Sequence, residues 1–264
     1  MSGIPVSRGF RFQNKVAVVT GGCCGVGRGC VDVLVEEGGF VAVLDFNDEV
    51  GKSLNSDGLA GEMYFIHCDM NKEEDIKNAI EEVIKKYGRI DCLVNNVGTH
   101  PGSKEIDDLS VQGFRDLLNT NLVSYFTASK YALPYLRKTE GCIVNTGSIG
   151  SSAAAKGMPS YCASKGGTIA FTKALAIDEA KHGVRVNAVS PSIVDTPLLR
   201  TVIRQWGEEQ EQVDMLASFT QLGRLSIPRE IGKACLFLAV DATFTTGEEL
   251  MCTGGTEIGY GVKQ

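Results

Sequence analysis

Apolar and polar positions along the chain fall into two rhythms. Short apolar runs predict seven buried strands: VAVVT (16–20), FVAVLD (40–45), MYFIHCD (63–69), DCLVNN (91–96), GCIVNTGS (141–148), VRVNAVS (184–190) and EELMCTGG (248–255). Helical patterns separate them, over 28–38, 72–88, about 110–138 with Pro134 near its last turns, 160–182, 196–220 and 228–240. The segment KEEDIKNAIEEVIKKYG (72–88) is the clearest: Ile76, Ile80, Val83, Ile84 and Tyr87 recur at helical spacing, acids lead and lysines trail. Strands alternating with helices predict a parallel sheet covered on both faces. No linker, repeat or low-complexity segment divides the chain, so residues 1–264 read as a single α/β domain.

Composition narrows the function. Of 264 residues, 31 are Gly, and 43% are hydrophobic. The glycine excess favours tight turns and close backbone approach to a ligand. A net charge of −6 with no basic run argues against nucleic acid as a partner. No apolar run is long enough to span a membrane, and the first fifteen residues lack the apolar stretch of a signal peptide. The nine Cys are scattered without a CxxC, and the three His are far apart. That excludes a metal site and points to reduced thiols in the cytosol.

The stretch TGGCCGVG (20–27) lies where the first strand passes to the first helix, with Gly21, Gly25 and Gly27 as its useful glycines. Bare backbone there admits a pyrophosphate, and the helix N-terminus offers N–H groups. Asp45 ends the second strand, 18 residues beyond Gly27. A carboxylate there accepts ribose hydroxyls and repels a 2′-phosphate, which predicts NAD over NADP. Asp69 closes the third strand and either faces the adenine edge or caps the next helix.

Tyr161 and Lys165 are four residues apart and share a helix face. A free phenol, with a pKa of about 10, is a poor base; a nearby ammonium favours its ionised form. Ser148 falls at the carboxyl end of the fifth strand, where parallel sheets bind ligands, and its hydroxyl can orient a substrate oxygen. Asn121 either carries a relay water or fills a gap between helix and sheet.

These segments, with CDM (68–70), NNVG (95–98) and SPSIVDTP (190–197), resemble the short-chain dehydrogenase/reductases over about residues 14–255. The resemblance implies one Rossmann-type doubly wound domain and hydride transfer between NAD(P) and an alcohol or carbonyl. It makes Tyr161 the general acid/base. Lys165 lowers its pKa and binds the nicotinamide ribose, Ser148 positions the substrate oxygen, and Asn121 holds the relay water. It gives Gly21, Gly25, Gly27, Asp45, Asp69, Asn95, Val194 and Thr196 to the cofactor. Three positions depart from the family pattern: Val97 in NNVG, Ser192 after Pro191, and NTGS where N-x-S-S is commoner. Within the family, GRIDCLVNN, ALPYLRK, GVRVN and above all TGGTEIGYG resemble the type 14 17β-hydroxysteroid dehydrogenase branch. That implies NAD-dependent oxidation of a secondary hydroxyl in a cytosolic homotetramer, on a steroid, with sugars and small alcohols as the alternative.

Substrate contacts are expected from loops after the strands and from a lid over 196–220, whose apolar side includes Leu199. His100 either touches substrate or caps the next turn. Tyr260, in the 254–264 tail, is expected to reach a neighbouring subunit's site, by resemblance. A non-catalytic dinucleotide sensor on the same fold is the competing reading.

Overall fold

The computed structural model describes residues 10–204 and 207–258. The seven strands are β1 (Val16–Thr20), β2 (Phe40–Asp45), β3 (Glu62–His67), β4 (Cys92–Asn95), β5 (Cys142–Thr146), β6 (Arg185–Pro191) and β7 (Glu249–Cys252). All pair in parallel, in the order β3-β2-β1-β4-β5-β6-β7. The chain moves outward from β1 through β3, then returns to the other side of β1. That reversal opens a crevice at the carboxyl ends of β1 and β4, where doubly wound sheets bind ligands.

Side chains alternate along each strand, so one strand feeds two cores. Ala17, Val19, Val41, Val43, Val94 and Val144 face α1 (Gly25–Glu36) and α9 (Pro228–Leu236). Val16, Val18, Leu44, Leu93 and Ile143 face α3 (Glu73–Tyr87), α5 (Ser124–Thr139) and α6 (Pro159–Glu179). In α3 the predicted stripe is buried at Ile76, Ile80 and Val83, with Ala79 beside it and Ile84 and Tyr87 half-buried, and Gly88 closes the helix at φ 74°. Helices α1 and α9 touch so closely that a Cβ on Gly29 would overlap Pro228.

Three expectations shift. The first helix starts at Gly25, inside the glycine turn, because the turn's last residues already form its first turn. The segment expected as one helix over 110–138 is α4 (Val111–Leu118), a wide π turn (Asn119–Val123) and α5. The segment 196–220 divides into α7 (Pro197–Ile203) and α8 (Glu209–Ser218). A short helix, α2 (Asp48–Lys52), lies in a stretch too short to show a period. No helix among the described residues is long and apolar enough to cross a membrane, and none of their His, Cys, Asp and Glu form a metal-binding group.

Candidate active site

Gly21 and Gly25 adopt φ 64° and 54°, which L side chains disfavour. A Cβ on Gly27 would overlap the Gly21 carbonyl and Asn96 Nδ2. Asn96 grips the turn from β4: its Nδ2 donates to Thr20 O at 3.0 Å and to Gly21 O at 3.1 Å. Thr20 Oγ1 answers by accepting the Asn96 and Val97 amides at 2.9 and 3.2 Å. Sequence reasoning missed Thr20 and Asn96; the doubled Asn in NNVG is the signal that marks them. Cys24, the residue before α1, makes no side-chain cap, and no acid sits in the first turn. The leading amides of α1 are therefore left for an anion. That bare cradle fits the diphosphate of a dinucleotide.

Asp45 is buried. Its Oδ2 accepts the Cys23 amide and its Oδ1 the Asn47 amide, each at 3.0 Å. It buttresses the glycine turn rather than standing as a solvated strand end. Burial and the Asp45 charge push the Cys23 thiol up to about 12, so it stays protonated. Asp69 accepts the Asn71 amide at 3.0 Å and pairs with Lys72 at 3.3 Å, which holds its carboxyl below the usual range. It braces the turn before α3, whose cap position is Lys72.

Asn95 is fully buried, and its Nδ2 donates to Asn145 Oδ1 at 2.9 Å and Ser129 Oγ at 3.2 Å, joining β4 to β5. Its role is to support the floor beneath the crevice, while Asn96 touches the turn. Val194 is buried and pairs with Ser226, and Thr196 caps α7 by accepting the Leu199 amide at 3.2 Å. The Thr196 methyl lies 3.5 Å from where a Gly25 Cβ would stand, so this segment roofs the glycine turn.

Four side chains converge at the carboxyl ends of β4 and β5. The π turn presents Asn121, which exchanges two hydrogen bonds with Thr99: Thr99 N–H donates to Oδ1 at 2.9 Å and Nδ2 donates to Thr99 O at 3.0 Å. A π turn of this kind re-aims one residue without ending the helix. Gly98 leaves space beside both Asn121 Oδ1 and Lys165 Nζ. Lys165 is buried and donates to Thr146 O at 2.8 Å. Ser148 Oγ accepts the Gly150 amide at 3.1 Å, and a Cβ on Gly150 would lie 3.5 Å from both that hydroxyl and the Tyr161 ring.

Burial raises the Tyr161 phenol above its ordinary value, and the Ser148 hydroxyl opposes that rise. The Lys165 ammonium is engaged by the Thr146 carbonyl and lies 6.0 Å from the Tyr161 ring centre. Burial also lowers Lys165 from 10.5 to about 8. The folded protein thus sheds this proton before the unfolded chain does. Below pH 8 the burial cost is fully present; between about 8 and 10.5 the unfolded chain holds the extra proton, and stability rises with pH. The gap corresponds to about 3 kcal/mol. Lys165→Met should therefore raise the unfolding free energy at pH 7 by about 1–3 kcal/mol. It should also flatten the rise between about pH 8 and 10.5, measured by urea unfolding across that range.

His100 caps the turn that follows it. Its Nδ1 accepts the Gly102 amide at 3.0 Å, and its ring packs against Tyr161 at 4.5 Å between centres. Leu199 is half-buried and packs in a small cluster with Ile203, Leu216 and Leu225, a local core that occupies much of its apolar surface. Tyr260 lies outside the described residues. Of the three departures, Val97 keeps its amide on Thr20, and Ser192 Oγ donates to Thr253 O at 2.9 Å, tying the ends of β6 and β7. Gly147 of NTGS makes room for Ser190, whose Oγ a Cβ there would overlap.

A glycine turn at the switch point of a doubly wound sheet, beside a Ser–Tyr–Lys grouping, defines a dinucleotide-dependent oxidoreductase. The chain belongs to the short-chain dehydrogenase/reductase family. A family model described as Enoyl-(Acyl carrier protein) reductase matches residues 22–257. L-fucose dehydrogenase of Bos taurus is 40% identical over 259 residues, covering 98% of this chain and 95% of that protein. Meso-2,3-butanediol dehydrogenase of Serratia marcescens is 34% identical, covering 93% and 96%. The ligand-free structure of Thermoplasma acidophilum aldohexose dehydrogenase superimposes with a TM-score of 0.89 at 31% identity, covering 97% and 98%. The protein is therefore an oxidoreductase that acts on CH–OH groups with a nicotinamide dinucleotide.

Proposed function

We propose that this protein is an NAD-dependent sugar dehydrogenase, with L-fucose as the first substrate to test. The observation that carries the reaction is the gathering of Ser148 and Tyr161 beyond the carboxyl end of β5, where a Cβ on Gly150 would lie 3.5 Å from both the Ser148 hydroxyl and the Tyr161 ring. The similarity to L-fucose and aldohexose dehydrogenases supports a sugar over the steroid suggested by the tail.

Gly21, Gly25 and Gly27 with the open end of α1 would hold the diphosphate, and Asp45 the adenosine ribose. The Asp45 carboxylate stands against the glycine turn and would repel a 2′-phosphate, which favours NAD. Thr196 and Val194 would close over the nicotinamide end. A bound nicotinamide would supply the hydride acceptor for the alcohol carbon. Ser148 orients the substrate oxygen, and the ionised Tyr161 oxygen takes the hydroxyl proton as the carbonyl forms. Lys165 and Asn121 line the route by which that proton leaves. Exposed Val123, Phe126 and Ile177 on the α5–α6 face support assembly there, in keeping with a homotetramer.

A hydroxysteroid remains the second reading, because Leu198, Met215 and Leu222 leave apolar surface exposed on the lid side. The test is NADH formation by purified protein with L-fucose, aldohexoses, meso-2,3-butanediol and a 17β-hydroxysteroid, with NAD and NADP in parallel. Turnover of L-fucose with NAD is the expected result. Steroid turnover without sugar turnover would reverse the substrate assignment, and NADP preference would overturn the role given to Asp45.

A further inference from the structure

We propose that Glu249 is a positioning residue for Ser148, holding the loop after β5 in the form that aims the serine hydroxyl into the cleft. The inference rests on the role given to Ser148 above. Glu249 opens β7 and pairs in register with Ala188 of β6. Its Oε1 accepts the Ser190 hydroxyl at 2.7 Å and lies 2.5 Å from Ser151 Oγ. Ser151 gives its one hydroxyl proton to that carboxylate and its amide to the Ser148 carbonyl, at 2.9 Å. One carboxylate oxygen therefore fastens β7, β6 and the Ser148–Ser151 turn together.

No salt bridge engages Glu249 among the described residues. Its charge is met by hydroxyls, and hydrogen bonds to an ionised acceptor are the strong kind. Gly147 is what admits this arrangement, since a Cβ there would overlap Ser190 Oγ. The departure NTGS thus has a physical reason: the side chain that the commoner N-x-S-S pattern places at 147 would displace Ser190 from Glu249. No hydrogen bond joins Ser148 to Glu249 directly among the described residues, so the carboxylate acts through Ser151.

The test uses Glu249→Ala, Glu249→Gln, Ser151→Ala and the Glu249→Ala/Ser151→Ala double variant of the full chain. Three quantities are read: kcat and KM on the best wild-type substrate, the Kd for NADH, and amide hydrogen exchange over residues 147–152. Glu249→Ala and Ser151→Ala should each lower kcat about ten- to a hundredfold, the scale of a misplaced reacting group. NADH affinity should hold and exchange at 147–152 should quicken. Glu249→Gln keeps an acceptor oxygen and should recover most of the rate. The double variant should be no worse than the single ones, because both cut the same link. Additive losses, a Gln variant as impaired as Ala, or NADH affinity falling together with kcat would each overturn the proposal. Hydrogen exchange needs no substrate. Absence of sugar turnover in the wild type would thus fail the substrate reading alone, while unchanged exchange would fail Glu249. If Glu249→Ala does not fold, Ser151→Ala carries the same decision.

Discussion

Tyr161→Phe should lower turnover by about 10²- to 10⁴-fold, the usual contribution of a positioned acid/base, with NADH binding essentially unchanged. The ring survives the substitution, so its packing against His100 stays. What is lost is the phenolic oxygen. Burial disfavours ionisation of this phenol, and only the Ser148 hydroxyl offsets it among the neighbours that act on it strongly. Steady-state kcat and an NADH fluorescence titration on the same preparation separate the two effects. Near-normal turnover by the Phe variant would remove Tyr161 from the chemistry. Loss of NADH binding with turnover would make it a cofactor residue instead.

The parts of this site that were legible in the sequence are those where residue type and strand position constrain each other. TGGCCGVG between a strand and a helix, Ser148 after β5, and Tyr161 with Lys165 one helical turn apart all have local signatures, and the structure gathers them. What sequence could not show is the partner of each group. The spacing of Lys165 from Tyr161 suggests a direct electrostatic pair, yet the Thr146 carbonyl takes the ammonium. A backbone acceptor from a strand nineteen residues away leaves no trace in a motif. Asn95 and Asn96 carry the same side chain in consecutive positions, and only the pleat decides that one faces the core and the other the glycine turn. The π turn at Asn119–Val123 was likewise invisible, because one extra residue in a helical turn barely disturbs the apolar period.

Gly27→Ala should cost more than its size suggests. In most helices this exchange is neutral or favourable, by about 0.5–1 kcal/mol. Gly166, in the middle of α6, is such a place: an added Cβ meets only Ser151 O, at 4.0 Å. Gly27 is also helical, but its Cβ would overlap both the Gly21 carbonyl and Asn96 Nδ2. Those are the two groups whose hydrogen bond fixes the turn, at 3.1 Å. Neither is the loose end of a side chain. The Gly21 carbonyl is backbone, and Asn96 is held by two bonds to the turn itself. Relief therefore requires the turn to move away from α1, which opens the cradle that the leading amides of the helix form. Overpacking of this kind costs about 1–3 kcal/mol in stability. The larger effect is expected on NADH affinity, a loss of about tenfold or more, since 1.4 kcal/mol of misplaced binding is already tenfold. Thermal unfolding and NADH titration of Gly27→Ala against Gly166→Ala make the comparison within one protein. If both variants bind NADH like the wild type, the turn of β1 and α1 does not hold the diphosphate, and the cofactor site must be sought elsewhere along the sheet.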